Sequence, residues 1–158
     1  MERGLKVRLD QIDRKILKEL QSDGRITNVE LARRAGISAP PCLRRVRALE
    51  EAGIIRGYRA LLDEKSLGYD VTAFAYVSLA RQAEADLIRF EELAAQWPIV
   101  RECFMLSGEV DFVMKCVARD LRDFQTFIIE LTGAPNVESV RTSLTIRESK
   151  NDPAVPMD

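Results

Sequence analysis

This sequence contains no histidine. That absence removes both the commonest general base and the commonest zinc ligand. Its three cysteines, Cys42, Cys103 and Cys116, are odd in number and far apart, with no CxxC pair. Such spacing fits reduced thiols in a cytosolic protein, and neither a disulfide framework nor a zinc site. No apolar run approaches the roughly 18–20 residues that cross a bilayer, and the opening MERGLKVRLD lacks the apolar stretch of a secretory signal. There is no glycine-rich phosphate loop, no nucleophile elbow and no cluster of ligating side chains. An enzyme is the rival class these absences weigh against: no catalytic residue, no metal ligand and no cofactor is expected. Even net charge is nearly missing, at −1 over 158 residues.

The near-neutral total hides an uneven distribution. Residues 1–61 hold 14 Lys and Arg against 8 Asp and Glu, a surplus of +6, while residues 62–158 hold 10 against 17. A basic head on an acidic body points to a polyanion as partner of the first part. The length suits one or two domains, and with 46% hydrophobic and 31% charged residues the chain can bury a core beneath a charged surface.

The head reads as helices. Asp10 is a candidate N-cap for a helix whose apolar face carries Ile12, Ile16, Leu17 and Leu20, and Asp23-Gly24 closes it. Thr27, with Glu30 three residues later, has capping-box form and starts a second helix bearing Val29, Leu31, Ala32 and Ala35. After the Gly36-Ile37-Ser38 break, Ser38 caps a third helix. Pro40 and Pro41 lie in its first turn, where a missing N–H costs least. Leu43, Val46 and Leu49 share one side of it, with Arg44, Arg45 and Arg47 around the other. Two short helices joined by a tight turn, the second rich in arginine, describe a helix-turn-helix DNA reader. Residues 54–61 read as two short strands turning near Gly57, a small wing.

An RRxR run alone is more often a solvated face than a contact surface; its place on a capped helix after a tight turn reverses that preference. Residues at the start of a recognition helix usually reach the bases. Ser38, Ala39, Pro40 and Arg44 are therefore candidates for base contact, and Arg45, Arg47 and Arg56 for phosphates. Arg33 and Arg34 flank either the backbone or water. Cys42 reads as a small buried hydrophobe, with redox sensing the sharper alternative.

Residues 62–70 are polar and turn-rich and are taken as a linker. Beyond them comes a β-α-β-β-α-β order: strand 71–80, helix 86–96, strands 100–106 and 111–118 about a tight turn, helix 121–131 and strand 137–147, with 151–158 as a flexible tail. That order predicts an α+β protein: an N-terminal winged helix-turn-helix (1–61), then a C-terminal ferredoxin-like sandwich (71–150) with both helices on one side of the sheet. Val71, Ala73, Ala75, Val77 and Leu79 alternate with Phe74 and Tyr76, so both faces of the first strand are apolar. A helix-free apolar face is rarely left in water, and a second subunit is the economical cover.

Three segments, LDQIDRKILKELQSDGRITNVELARRAGISAPPCLRRVRALEEAGIIRGYRALLD, VRECFMLSGEVDFVMKCVARD and NVESVRTSLTI, resemble the Lrp/AsnC family of leucine-responsive and asparagine-operon regulators. The likeness spans residues 9–150 and is closest to the leucine-responsive branch. It implies a cytoplasmic, nucleoid-associated regulator of amino-acid metabolism genes that binds double-stranded DNA. It also implies homodimers assembling to octamers, with an amino-acid effector held between dimers. The implied effector site is the hairpin from Leu106 and Ser107 through Gly108 to Asp111, together with Thr142 of the last strand. Turn amides can hold an α-carboxylate and Asp111 can pair with an α-ammonium. Val140 stands where leucine-responsive relatives often carry a threonine, which favours a branched-chain or other apolar ligand. Without the resemblance, the hairpin is only a turn. An effector-independent, architectural DNA-binding regulator of the same fold stays open as the alternative.

Overall fold

The computed structural model describes residues 8–157; most of the opening segment read above for a secretory signal lies outside them. Contacts divide the chain into two units. One runs to Leu61 and also takes in the C-terminal residues from Asn151; the other is Leu62–Lys150.

The first unit is built from α1 (Gln11–Ser22), α2 (Asn28–Ala35) and α3 (Ala39–Glu51). Asp10 caps α1 reciprocally: its Oδ1 accepts the Asp13 N–H at 2.8 Å, and its own N–H donates to Asp13 Oδ2 at 3.1 Å. Thr27 caps α2 through the Glu30 N–H at 3.3 Å, but the returning half of the expected box does not form. Glu30 is held instead by Arg33 and Arg34. At the end of α2 Gly36 turns left-handed, with φ 78° and ψ 32°, a conformation that costs a residue with a Cβ but not glycine. That single residue sets the turn between α2 and α3.

Ile16, Leu17, Leu31, Ala32, Ala35, Cys42 and Leu49 form the first core. Two expected apolar contributors lie outside it: Val29 is 71% exposed and Leu43 40%. On α3 the buried face runs through Cys42 and Leu49, with Val46 half-buried, a spacing of four and then three. Residues 54–61 contain no strand, so the expected two-stranded wing is absent from this unit. A strand here would leave a row of backbone groups unpaired unless a partner strand lay beside it, and no strand of this unit occurs among the described residues.

In the second unit β1 (Val71–Leu79), α4 (Glu84–Ala94), β2 (Val100–Met105), β3 (Phe112–Ala118), α5 (Leu121–Thr132) and β4 (Val137–Leu144) form the expected α+β sandwich. The antiparallel sheet has the order β2-β3-β1-β4. Ala73, Ala75, Val77 and Leu79 are fully buried beneath α4 and α5, with Phe112, Met114 and Cys116 beside them. Aromatic rings fill the gap: Phe90 and Phe112 lie 4.7 Å apart, and Trp97 and Phe127 5.4 Å. Leu121, expected inward on α5, is exposed, and Phe127 takes its place. The region 62–70 belongs to this unit and is no free linker: it holds a 3₁₀ turn, Lys65–Leu67, and Glu64 accepts from the Thr72 hydroxyl at 3.3 Å.

The C-terminal segment is likewise not loose. Gln21 of α1 donates to the Val155 carbonyl at 3.0 Å and accepts the Val155 N–H at 2.6 Å, and Met157 packs on the first core. A side-chain amide can satisfy a backbone N–H and C=O together, much as a strand partner does.

Candidate functional site

Helical geometry sorts the arginines of α3. At about 100° per residue, Pro40, Arg44 and Arg47 fall within a stripe about 60° wide, opposite Cys42, Val46 and Leu49. All three are exposed. Among the described residues neither Arg44 nor Arg47 meets a carboxylate. Arg56 is exposed in the segment after α3 and is equally unpaired there. Ser38 is extended, at φ −80° and ψ 160°, yet its side chain caps nothing. Pro40 and Pro41 lack amide hydrogens and the Cys42 N–H returns to the Ser38 carbonyl at 3.2 Å, so the start of α3 presents the Ser38 hydroxyl and little else that can donate. Ala39 is half-buried, its carbonyl held by Asn28 Nδ2 at 2.8 Å. It therefore anchors the helix more than it faces outward.

Arg45 departs from the expected arrangement. It stands about 100–160° around the helix from the Arg44 stripe, and its Nη1 reaches both Asp10 Oδ2 and Asp13 Oδ1 at 2.7 Å. Its guanidinium, expected to face phosphate, is paired here with two carboxylates of its own chain. Asp10's carboxyl is held below its ordinary value, first by the Asp13 backbone N–H and then by Arg45; Arg45's own value is raised by those partners. Arg33 and Arg34 are also engaged. Glu30 contacts them at 2.6 and 2.7 Å, and Glu19 meets Arg34 at 2.8 Å. Arg44, Arg47 and Arg56 thus keep their charge unpaired among the described residues, as do Arg8, Arg14, Lys15, Lys18, Arg25 and Arg59 elsewhere in the head. Neither Asn28 nor the pairing of Asp13 was found from the sequence. The 100° rule would have separated Arg45 from its neighbours; the Asn28 contact left no local signal.

Cys42 is fully buried, and burial raises its thiol above the ordinary value. Burial pushes Cys103 up to about 11 and Cys116 to about 12. Thiolate is the reactive form, so these are packing side chains.

The second candidate site lies on the sheet. Leu106, Ser107 and Gly108 form an exposed turn between β2 and β3, with no atom within 4 Å of where a Gly108 side chain would begin. Asp111 ties the base of the turn to β1. Its N–H donates to the Val77 carbonyl at 2.9 Å, its carbonyl accepts from Leu106 at 2.8 Å, and its Oδ2 accepts the Leu79 N–H at 2.7 Å. Its Oδ1 has no donor among the described residues.

On β4, Val140 lies opposite Val77 and Thr142 opposite Ala75. Val140 packs against the second core, whereas Thr142 is exposed. Both share the helix side, since directly paired residues point the same way. The hairpin and the Val140 end of β4 lie at one end of the sheet with β1 between them, roughly two strand spacings or 9–10 Å apart. The two halves do not meet within this chain. A cleft of about 300 Å³ elsewhere, between α4 and β2, includes none of these residues. No group able to hold a metal occurs among the described residues, and no described helix is long and apolar enough to cross a membrane.

Comparison with known proteins matches the same two units. Residues 9–56 fit a family described as winged helix-turn-helix DNA-binding, and residues 72–155 fit the Lrp/AsnC ligand binding domain. A leucine-responsive regulatory protein of Rhizobium meliloti is 62% identical over 93% of this chain and 95% of its own. The Bkd operon transcriptional regulator of Pseudomonas aeruginosa is 39% identical over 94% of this chain and 98% of its own. Among solved structures, a transcriptional regulator of Neisseria meningitidis in complex with L-Met superposes with a TM-score of 0.91 at 38% identity, covering 96% of this chain and 98% of that one.

Proposed function

This chain belongs to the Lrp/AsnC family of transcriptional regulators, and on that premise we propose that it reads duplex DNA with the Pro40–Arg44–Arg47 face of α3 and responds to an apolar amino acid at Asp111. The observation that carries the DNA reading is the unpaired arginine stripe opposite the buried face of α3. Guanidinium groups pair with phosphates or read guanine edges, and a helix lying in the major groove presents one such stripe. Ser38, Pro40 and Arg44 are assigned to bases, and Arg47 and Arg56 to phosphates. Ala39 sets the helix start. The protein acts in the cytoplasm on nucleoid DNA, without catalysis. Arg47→Ala should flatten the dependence of log affinity on log salt by about 0.9, uniformly across sequences. Arg44→Ala should weaken specific sites more. Unchanged binding in the double variant, with folding intact by circular dichroism, refutes the assignment.

The effector reading rests on Asp111, whose one oxygen is spent on the Leu79 amide while the other is free of in-chain donors. A carboxylate so fixed can take an α-ammonium, and the uncovered turn amides around Gly108 can take the α-carboxylate. Thr142 lies too far off to complete that pocket from the same chain, so a second dimer supplies it. Val140 is packed into the core and contributes an apolar edge. The bound L-Met of the Neisseria relative and the leucine-responsive name of the Rhizobium relative support an unbranched or branched apolar side chain. Calorimetry with leucine, isoleucine, valine and methionine tests this. Asp111→Ala should lose the heat of the best ligand and its effect on DNA affinity. Equal affinity in the variant removes Asp111 from the site. No heat from any of the four favours the effector-independent, architectural alternative.

A further inference from the structure

Arg45, Asp10 and Asp13 close a hydrogen-bond circuit between the cap of α1 and the middle of α3. All four carboxylate oxygens are used. One oxygen of each aspartate accepts the other's backbone N–H, at 2.8 and 3.1 Å. The remaining oxygen of each is 2.7 Å from the same Arg45 nitrogen. Among the described residues this is the only ion-paired link between the α1 cap and α3. The side chain of Asp13 is 15% exposed and that of Arg45 33%, so the pair is partly shielded from water. Without Arg45, two carboxylates would face each other at close range.

Resting on the DNA reading above, we propose that Arg45 is a positioning residue: through Asp10 and Asp13 it fixes the orientation of α3 on α1, and so the aim of Arg44 and Arg47, without touching DNA. A lever of this kind acts because a small rotation of α3 displaces both arginines at once. The Asn28 bond to the Ala39 carbonyl holds the first turn of α3, and the Arg45 circuit holds its second. A helix gripped at two points along its length cannot swivel about either.

Charge and geometry here predict opposite signs. Asp10→Asn/Asp13→Asn keeps both capping acceptors and adds two units of positive charge to a DNA-binding head. If Arg45 contacts phosphate, freeing it from its carboxylates should tighten binding. If it positions α3, binding should weaken, by about two- to fivefold for the loss of one partly exposed pair. The probe is a fluorescent mixed-sequence duplex titrated with full-length protein over a salt series, with melting curves alongside. We expect the double asparagine variant to bind more weakly. Arg45→Met should weaken binding similarly, leave the salt slope unchanged, and add nothing when combined with the asparagines. Tighter binding by the double asparagine variant, or a flattened slope in Arg45→Met, overturns the inference. If Arg44→Ala and Arg47→Ala also leave the slope unchanged, the DNA face itself is misassigned and this inference falls with it.

Discussion

Glu30 offsets part of the charge that α2 adds to the basic head. It accepts from Arg33 and Arg34, and those two guanidinium groups, Arg33 first, hold its carboxyl down to about 2 from an ordinary 4.5. A carboxyl depressed in the folded state lends stability above its unfolded value and loses it as pH falls through its folded value. The Glu30 contribution should therefore be complete above about pH 4.5 and vanish towards about pH 2. Melting curves of the wild type and Glu30→Gln should be separated at neutral pH and converge as pH falls through that window. A constant gap down to the lower limit would mean that the pairing is not what shifts the carboxyl.

Among the elements, β3 and α4 show where the second unit keeps its stability. Phe112 is fully buried with its ring 4.7 Å from Phe90, at the point where the sheet, α4 and the hairpin carrying Asp111 converge. Phe112→Ala removes a large side chain from a close-packed site and should cost about 3–5 kcal/mol, read as a lower urea midpoint with the slope retained. Weakening the adjoining hairpin should also weaken effector binding. Ile129→Ala, on the outer side of α5 and 68% exposed, should change stability by no more than about 0.5 kcal/mol. Equal losses at the two positions would contradict the placement of this core.

For the molecule as a whole, the unfinished surface is the helix-free face of the sheet. Across it run Phe104, Val113, Tyr76 and Arg141 in one row, and Glu102, Lys115, Phe74 and Ser143 in the next. Val113, Tyr76 and Phe74 make most of its centre apolar, with Lys115 among them, and Glu102 and Arg141 put charge at two opposite corners, close to the plan of an interface core with a polar rim. We propose that a second copy covers it and that dimers so formed assemble further, to the octamer. Tyr76→Asp would bury an unpaired charge in that centre, so sedimentation of the full chain should shift from dimer or larger towards monomer or precipitation. An unchanged mass for the variant would place the interface elsewhere. A two-fold axis relating two readers requires an imperfectly palindromic operator, with half-sites about one helical turn or a multiple apart.

The order and identity of the elements were legible in the chain because periodicity and capping are local. Asp10, Thr27 and Gly36 mark helix ends through chemistry within a few residues, and the alternation of Ala73, Ala75 and Val77 with Phe74 and Tyr76 is the strand's own geometry. The basic head and acidic body could be counted directly. What only the tertiary structure decided is which polar groups find one another. Arg45 meets Asp10 and Asp13 across more than thirty residues, Asp111 reaches Leu79 across as many, and Gln21 pairs with Val155 from the far end of the chain. Each of these side chains has a solvated alternative of similar local energy, so composition and spacing do not distinguish them. Folding does, by bringing distant donors and acceptors within bonding distance of one another.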